Sequence, residues 1–172
     1  DWSKVTVLPV DERFLPDSHK DQNGNLIKNN LIQKEAAQSN WFPVVLDSAD
    51  SEKNLSAVRE KVKGINQPFT VTILGMGTDG HTASLFPCSK ELETGMAEDG
   101  EDIIITNPTS APYQRISFTK KAILNSKFLF LHCYGEEKKQ ILDSLDSHSE
   151  KEYPIKAFIN QKTTKIEIFW TK

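Results

Sequence analysis

The sequence predicts an α/β fold: a mostly parallel sheet flanked by helices, three layers deep in a Rossmann-like arrangement. Three observations carry this. Short β-rich runs alternate with helix-patterned stretches along all 172 residues. Two of those runs, Phe69–Leu74 (FTVTIL) and Phe128–Tyr134 (FLFLHCY), are almost continuously apolar or β-branched, as strands covered on both faces would be. The conspicuous polar motifs fall just after the strands, where open α/β sheets collect their ligands.

The elements follow in order. Lys4–Val10 is a β-rich run leading into the charged triplet Asp11-Glu12-Arg13. Leu26, Ile27, Leu31 and Ile32 mark one side of a helix reaching about Gln38, and Pro43–Leu46 is a second extended run. Asp50 or Ser51 can cap a helix in which Leu55, Val58 and Val62 recur on one face and which Gly64 can end. After the strand at Phe69–Leu74 come three glycines in six residues, and His81–Leu85 is expected to begin a short helix. Ser89–Asp102 is acidic and weakly patterned, a surface loop or poorly packed helix. Ile103–Thr106 and Arg115–Phe118 are short strands, and Thr119 caps a helix through Asn125. Gly135 turns Phe128–Tyr134 into a helix carrying Ile141, Leu142 and Leu145. Extended runs near Ile155–Ile159 and Ile166–Trp170 close the chain. The whole, 1–172, reads as one domain.

Composition removes several function classes. A net charge of −3 argues against broad nucleic-acid binding, which needs a basic face. The apolar stretches are far too short to span a bilayer. Cys88 and Cys133 stand alone, outside any Cys-x-x-Cys pair, as free thiols in a reducing compartment do, so a cytoplasmic setting is expected. Nothing in the sequence sets the oligomeric state.

The chemistry concentrates in Gly75-Met76-Gly77-Thr78-Asp79-Gly80-His81. Gly77 and Gly80 permit a tight turn and close ligand approach to bare backbone. The spacing matches Gly-x-Gly-x-x-Gly formally, but no acidic residue follows a next strand in a βαβ context, which weakens a dinucleotide reading. Asp79 and His81 flank a glycine at a strand end; an imidazole beside a carboxylate suits proton abstraction from water near neutral pH. Taken alone, the same pair could be a helix cap and a solvated histidine. Two ligands without a third make a poor metal site, and no Gly-x-Ser-x-Gly elbow exists. Lys138 opens a helix whose start disfavours a cation, which makes sense if an anion comes there. Arg115 is a second candidate anion contact, and Arg13 a candidate ion-pair partner shaping the site.

The thirteen-residue run Gly75–Pro87 (GMGTDGHTASLFP) resembles the signature of the 6-phosphogluconolactonases, within the sugar-phosphate isomerase/deaminase superfamily. Asp11-Glu12-Arg13-Phe14-Leu15-Pro16 with His19 and Asn23, then Arg115-Ile116-Ser117 and Gly135-x-x-Lys138, resemble its other motifs in the expected order. The resemblance implies hydrolysis of 6-phosphoglucono-1,5-lactone, a small sugar phosphate, with no metal or organic cofactor. It makes His81 the general base and Asp79 its orienting partner or a sugar contact. Arg115 and Lys138 would hold the phosphate, and Asp11 and Arg13 would line the pocket. It also implies a Gly-Gly-Ser-Thr-Pro-type phosphate loop before Asp11. No two of the eight glycines adjoin, so that loop is expected to lie outside these residues, with both ends truncated relative to the family. Two alternatives stand beside this reading. An amino-sugar-phosphate deaminase would commonly carry Phe-Asn-Glu after the histidine, where this chain has Ser84-Leu85-Phe86. A noncatalytic sugar-phosphate-binding module would fit the missing loop.

Overall fold

The computed structural model describes residues 1–172. Eight strands and six α-helices alternate: β1 (Thr6–Val7), β2 (Asp11–Arg13), α1 (Asn23–Asn30), β3 (Asn40–Trp41), α2 (Ser51–Val62), β4 (Phe69–Leu74), α3 (Leu92–Met96), β5 (Ile103–Thr106), β6 (Arg115–Phe118), α4 (Lys120–Leu124), β7 (Ser126–Tyr134), α5 (Glu136–Ser144), α6 (Ile155–Ile159) and β8 (Ile166–Thr171). They form a parallel pair β1-β3, a parallel trio β4-β7-β8, and an antiparallel trio β2-β6-β5. The parallel sheets and flanking helices are those the alternating pattern predicts. The antiparallel trio is an addition that periodicity could not distinguish from further parallel strands.

Local chemistry explains most boundaries. Asp50 accepts a hydrogen bond from the Lys53 N–H and starts α2, and Leu55, Val58 and Val62 sink its inner face into the core. Burying each contributes about 1.5–3 kcal/mol. Thr119 caps α4 through the Ala122 N–H.

Six expectations change. Asp11-Glu12-Arg13 does not follow a strand but is one, β2, held by antiparallel pairing with β6, and the strand before it shrinks to Thr6–Val7. The β4 and β7 runs are covered on one face, not two: Ile73, Phe128 and Tyr134 are 60%, 56% and 66% exposed. The pairs Val71↔Phe128 and Ile73↔Phe130 put these apolar side chains on one open side of the sheet, while Leu74, Leu129 and Leu131 face the core. Pro43–Leu46 is not a strand, because buried Asn54 of α2 captures its backbone. The Asn54 amide donates to the Val44 carbonyl (3.0 Å) and its oxygen accepts from the Leu46 N–H (2.7 Å). Ile155–Ile159 is helical: Pro154 pre-sets the first turn, and Ile155, Ala157 and Phe158 are buried. The first helix ends at Asn30, and Lys34–Gln38 is a separate 3₁₀ turn. His81–Leu85 forms no helix. Ala83 takes φ = 49°, and Thr82 and Leu85 form an isolated bridge, folding the segment into a compact turn.

Candidate active site

β4 and β7 run in parallel, with Leu74 opposite Leu131, so the Gly75 and Gly135 turns leave the same edge of the sheet. The first of these builds the site. The Gly77 N–H donates to the His81 carbonyl (2.9 Å), the Gly80 N–H to the Gly77 carbonyl (3.1 Å), and the Thr82 hydroxyl to the Gly75 carbonyl (2.8 Å). Gly80 sits at φ = +73°, and a Cβ there would meet Tyr153 at 2.6 Å; its carbonyl accepts from the Ile155 N–H at 2.9 Å. Gly77 is required for a different reason. A Cβ on it would lie 2.2 Å from His81 Nδ1 and 2.7 Å from Asp79 Oδ1.

Within that turn Asp79 Oδ1 lies 2.5 Å from His81 Nδ1. Burial alone would raise the Asp79 pKa, but the hydrogen bond and charge of His81 outweigh it and hold the carboxyl below its usual range. The carboxylate thereby fixes the tautomer with the proton on Nδ1, and no protein group bonds Nε2, so that nitrogen is open to a water or substrate oxygen. Phe86, from the far end of the same run, stacks on the imidazole with centroids 3.9 Å apart and planes at 22°.

The antiparallel trio supplies the second half. Register places Arg13 of β2 directly opposite Arg115 of β6. Arg115 lies over the Phe86 ring at 5.8 Å and donates to the Pro112 carbonyl at 3.0 Å, while Arg13 donates to the Asp21 carbonyl. The Nε of each arginine is buried without a partner. Burial, then the neighbouring Arg13 charge, pull the Arg115 pKa down. Two guanidiniums side by side, each with an unpaired donor, form an arrangement that an anion would relieve. Asp11 joins the halves: its Oδ2 accepts from the Ser84 hydroxyl at 2.5 Å, and Asn23 donates to its main-chain oxygen at 3.0 Å.

The structure thus brings together Asp11, Arg13, Gly77, Asp79, Gly80, His81 and Arg115. Lys138 lies in the first turn of α5, after the Gly135 turn at the same edge of the sheet, its Nζ 4.8 Å from the Tyr134 ring and with no bond to the others. No three His, Cys, Asp or Glu side chains converge as metal ligands do. A groove of about 810 Å³ runs along Pro87–Asp99 and Glu150–Lys151, and none of these site residues lines it.

The family model for glucosamine-6-phosphate isomerases and 6-phosphogluconolactonases matches residues 1–170. The chain belongs to that family. Among members of this isomerase/lactonase family, it is 35% identical over 175 residues to a 6-phosphogluconolactonase of Neisseria meningitidis serogroup A, covering 100% of this chain and 75% of that one. A 6-phosphogluconolactonase of Helicobacter pylori J99 is likewise 35% identical, over 99% of this chain and 74% of its own. The crystal structure of a 6-phosphogluconolactonase from Shewanella baltica OS155 superposes with a TM-score of 0.94 at 36% identity, over 100% of this chain and 74% of the other. A monomeric glucosamine-6-phosphate deaminase shares the fold at a TM-score of 0.73 with 16% identity.

Three further residues of this isomerase/lactonase chain belong to the site, and sequence reasoning gave none of them a role. Glu12, 3% exposed, accepts the N–H groups of Arg13, Asn23 and Gly24, each at 2.7 Å, so it ties the start of α1 to β2. Burial, the largest influence, lifts its pKa despite these three donors. Its signal was an acid flanked by a second acid and a base at a strand. Ser84 is wholly buried, and only its place in the Gly75–Pro87 run marked it. Tyr153 lies more than seventy residues from Gly80, and no local pattern singled it out.

Proposed function

We propose that the chain hydrolyses 6-phospho-D-glucono-1,5-lactone to 6-phospho-D-gluconate, the lactone-opening step of the pentose phosphate pathway, with water activated by His81. The observation that carries the mechanism is the Asp79–His81 pair at 2.5 Å with Nε2 open, joined through the Phe86 ring to the anion-seeking Arg115. The relatives' names support the substrate.

His81 Nε2 takes a proton from water as the water oxygen attacks the lactone carbonyl carbon. Asp79, ionised because its pKa is depressed, accepts the Nδ1 hydrogen bond and offsets the imidazolium charge. Collapse of the tetrahedral adduct breaks the bond to the ring oxygen, which takes the proton from Nε2 and leaves as a hydroxyl. Arg115, with Arg13 beside it, holds the phosphate far from the reacting carbon, and that binding energy orients the carbonyl. Lys138 supplies a further phosphate contact from the Gly135 turn, Asp11 lines the sugar pocket through the Ser84 bond, and the backbone of Gly77 and Gly80 lets the substrate approach closely.

His81→Ala tests this. Lactone hydrolysis should fall by about 10²–10⁴ with the fold retained by circular dichroism, and no ammonia should be released from glucosamine 6-phosphate by the parent chain. A variant that keeps the parent kcat removes His81 as the base.

A further inference from the structure

Phe86 is 4% exposed, yet it stands outside the main cluster of 21 buried core residues. Its ring is instead committed to two groups of the candidate site: the His81 imidazole stacked at 3.9 Å and 22°, and the Arg115 guanidinium 5.8 Å from its centroid. An imidazole has two freedoms, rotation about the Cα–Cβ bond and rotation of the ring plane. Asp79 pins Nδ1 and so limits the first, but one hydrogen bond leaves the ring free to swing about the Nδ1–Oδ1 line. The stacked phenyl face removes that swing. The backbone of Gly77 closes the Nδ1/Cε1 edge, since even one added carbon there would overlap the ring.

We propose that Phe86 is a positioning residue that sets the plane of His81, and thereby the direction of Nε2, relative to the guanidinium of Arg115. The inference rests on the lactonase reading above for its kinetic arm. Its structural arm does not depend on that reading. The His81 ring protons lie over the phenyl face, so their NMR signals should be displaced upfield by the ring current.

The experiment compares the parent chain with F86M, which keeps similar volume but no aromatic face, and with F86Y, which restores the face. The parent should show upfield His81 signals, lost in F86M and regained in F86Y. In lactone hydrolysis F86M should lose about 30-fold in kcat, since misplacement of a catalytic group by about 1 Å costs up to about 100-fold. KM should rise by no more than about threefold, because Arg115 loses only its 5.8 Å contact with the ring and keeps its bond to the Pro112 carbonyl. F86Y should recover most of kcat. If F86M fails to fold, the parent's ring-current shift and the F86Y rate still decide the matter. Three results overturn the proposal: no upfield shift in the parent, kcat kept within about twofold in F86M, or a loss confined to KM. If the parent opens no lactone while the ring shift is present, the functional reading fails and the stacking geometry stands.

Discussion

Replacing Gly77 with alanine tests the site with a single carbon. The added Cβ would lie 2.2 Å from His81 Nδ1, 2.3 Å from Cε1 and 2.7 Å from Asp79 Oδ1. Ordinary non-bonded contact between such atoms begins at about 3.4 Å, so the imidazole must retreat by about 1 Å or more. Gly77 does not have the positive φ of Gly80, so alanine suits its backbone. The cost therefore falls on the Asp79–His81 pair and not on the fold. A displacement of this size lowers turnover by about 100-fold. Midpoint temperature should fall by only a few degrees, corresponding to about 1 kcal/mol. The assay is continuous titration of the acid released on lactone opening at constant pH, with the spontaneous rate subtracted, alongside thermal denaturation. Gly77→Ala with parent kcat and an unchanged midpoint would refute the claim that this turn fixes the base. Lost turnover with a collapsed midpoint would show that the carbon disturbs the fold instead.

Arg115→Lys removes the planar fork beside Arg13 and should raise the Kd for 6-phosphogluconate about tenfold by calorimetry, with little change in midpoint temperature. Lys138→Ala should weaken the same ligand by a smaller factor, and unchanged affinity would remove Lys138 from the site. Glu12→Gln keeps one acceptor oxygen for three converging N–H donors, so chemical denaturation should show a loss of about 1–3 kcal/mol. Glu91 gives a pH test. Burial would raise its pKa, but bonds from Ser89 and Asn107 bring it from 4.5 to about 2. A carboxyl depressed on folding stabilises fully above its unfolded value, and loses that contribution as pH falls from about 4.5 toward 2. Glu91→Gln should flatten the midpoint-versus-pH curve across that window, and a curve parallel to the parent's would contradict it.

Residues whose neighbours are close in sequence were legible in advance. Asp50, Thr119 and the inner face of α2 follow from capping and 3.6-residue periodicity, and the Asp79–His81 pair from one short turn. Errors arose where distant residues decide. Asn54 takes Pro43–Leu46 away from strand pairing, and a run of β-branched residues cannot say whether anything covers its second face. The Arg13–Arg115 juxtaposition needed the β2–β6 register, which no local pattern encodes. The family resemblance puts both arginines in one substrate pocket, but not directly opposite each other across two paired strands. Phe86 was hidden differently, because a phenylalanine before a proline reads as core until its ring is seen against His81.

The contact between Gly80 and the Tyr153–Ile155 segment ties the Gly75–His81 turn to a stretch made much later by the ribosome. While a nascent chain ends before Tyr153, the turn has its sequence but not its brace. Catalytic competence should therefore arrive abruptly once Tyr153–Ile155 has been added and can dock on Gly80, instead of growing strand by strand.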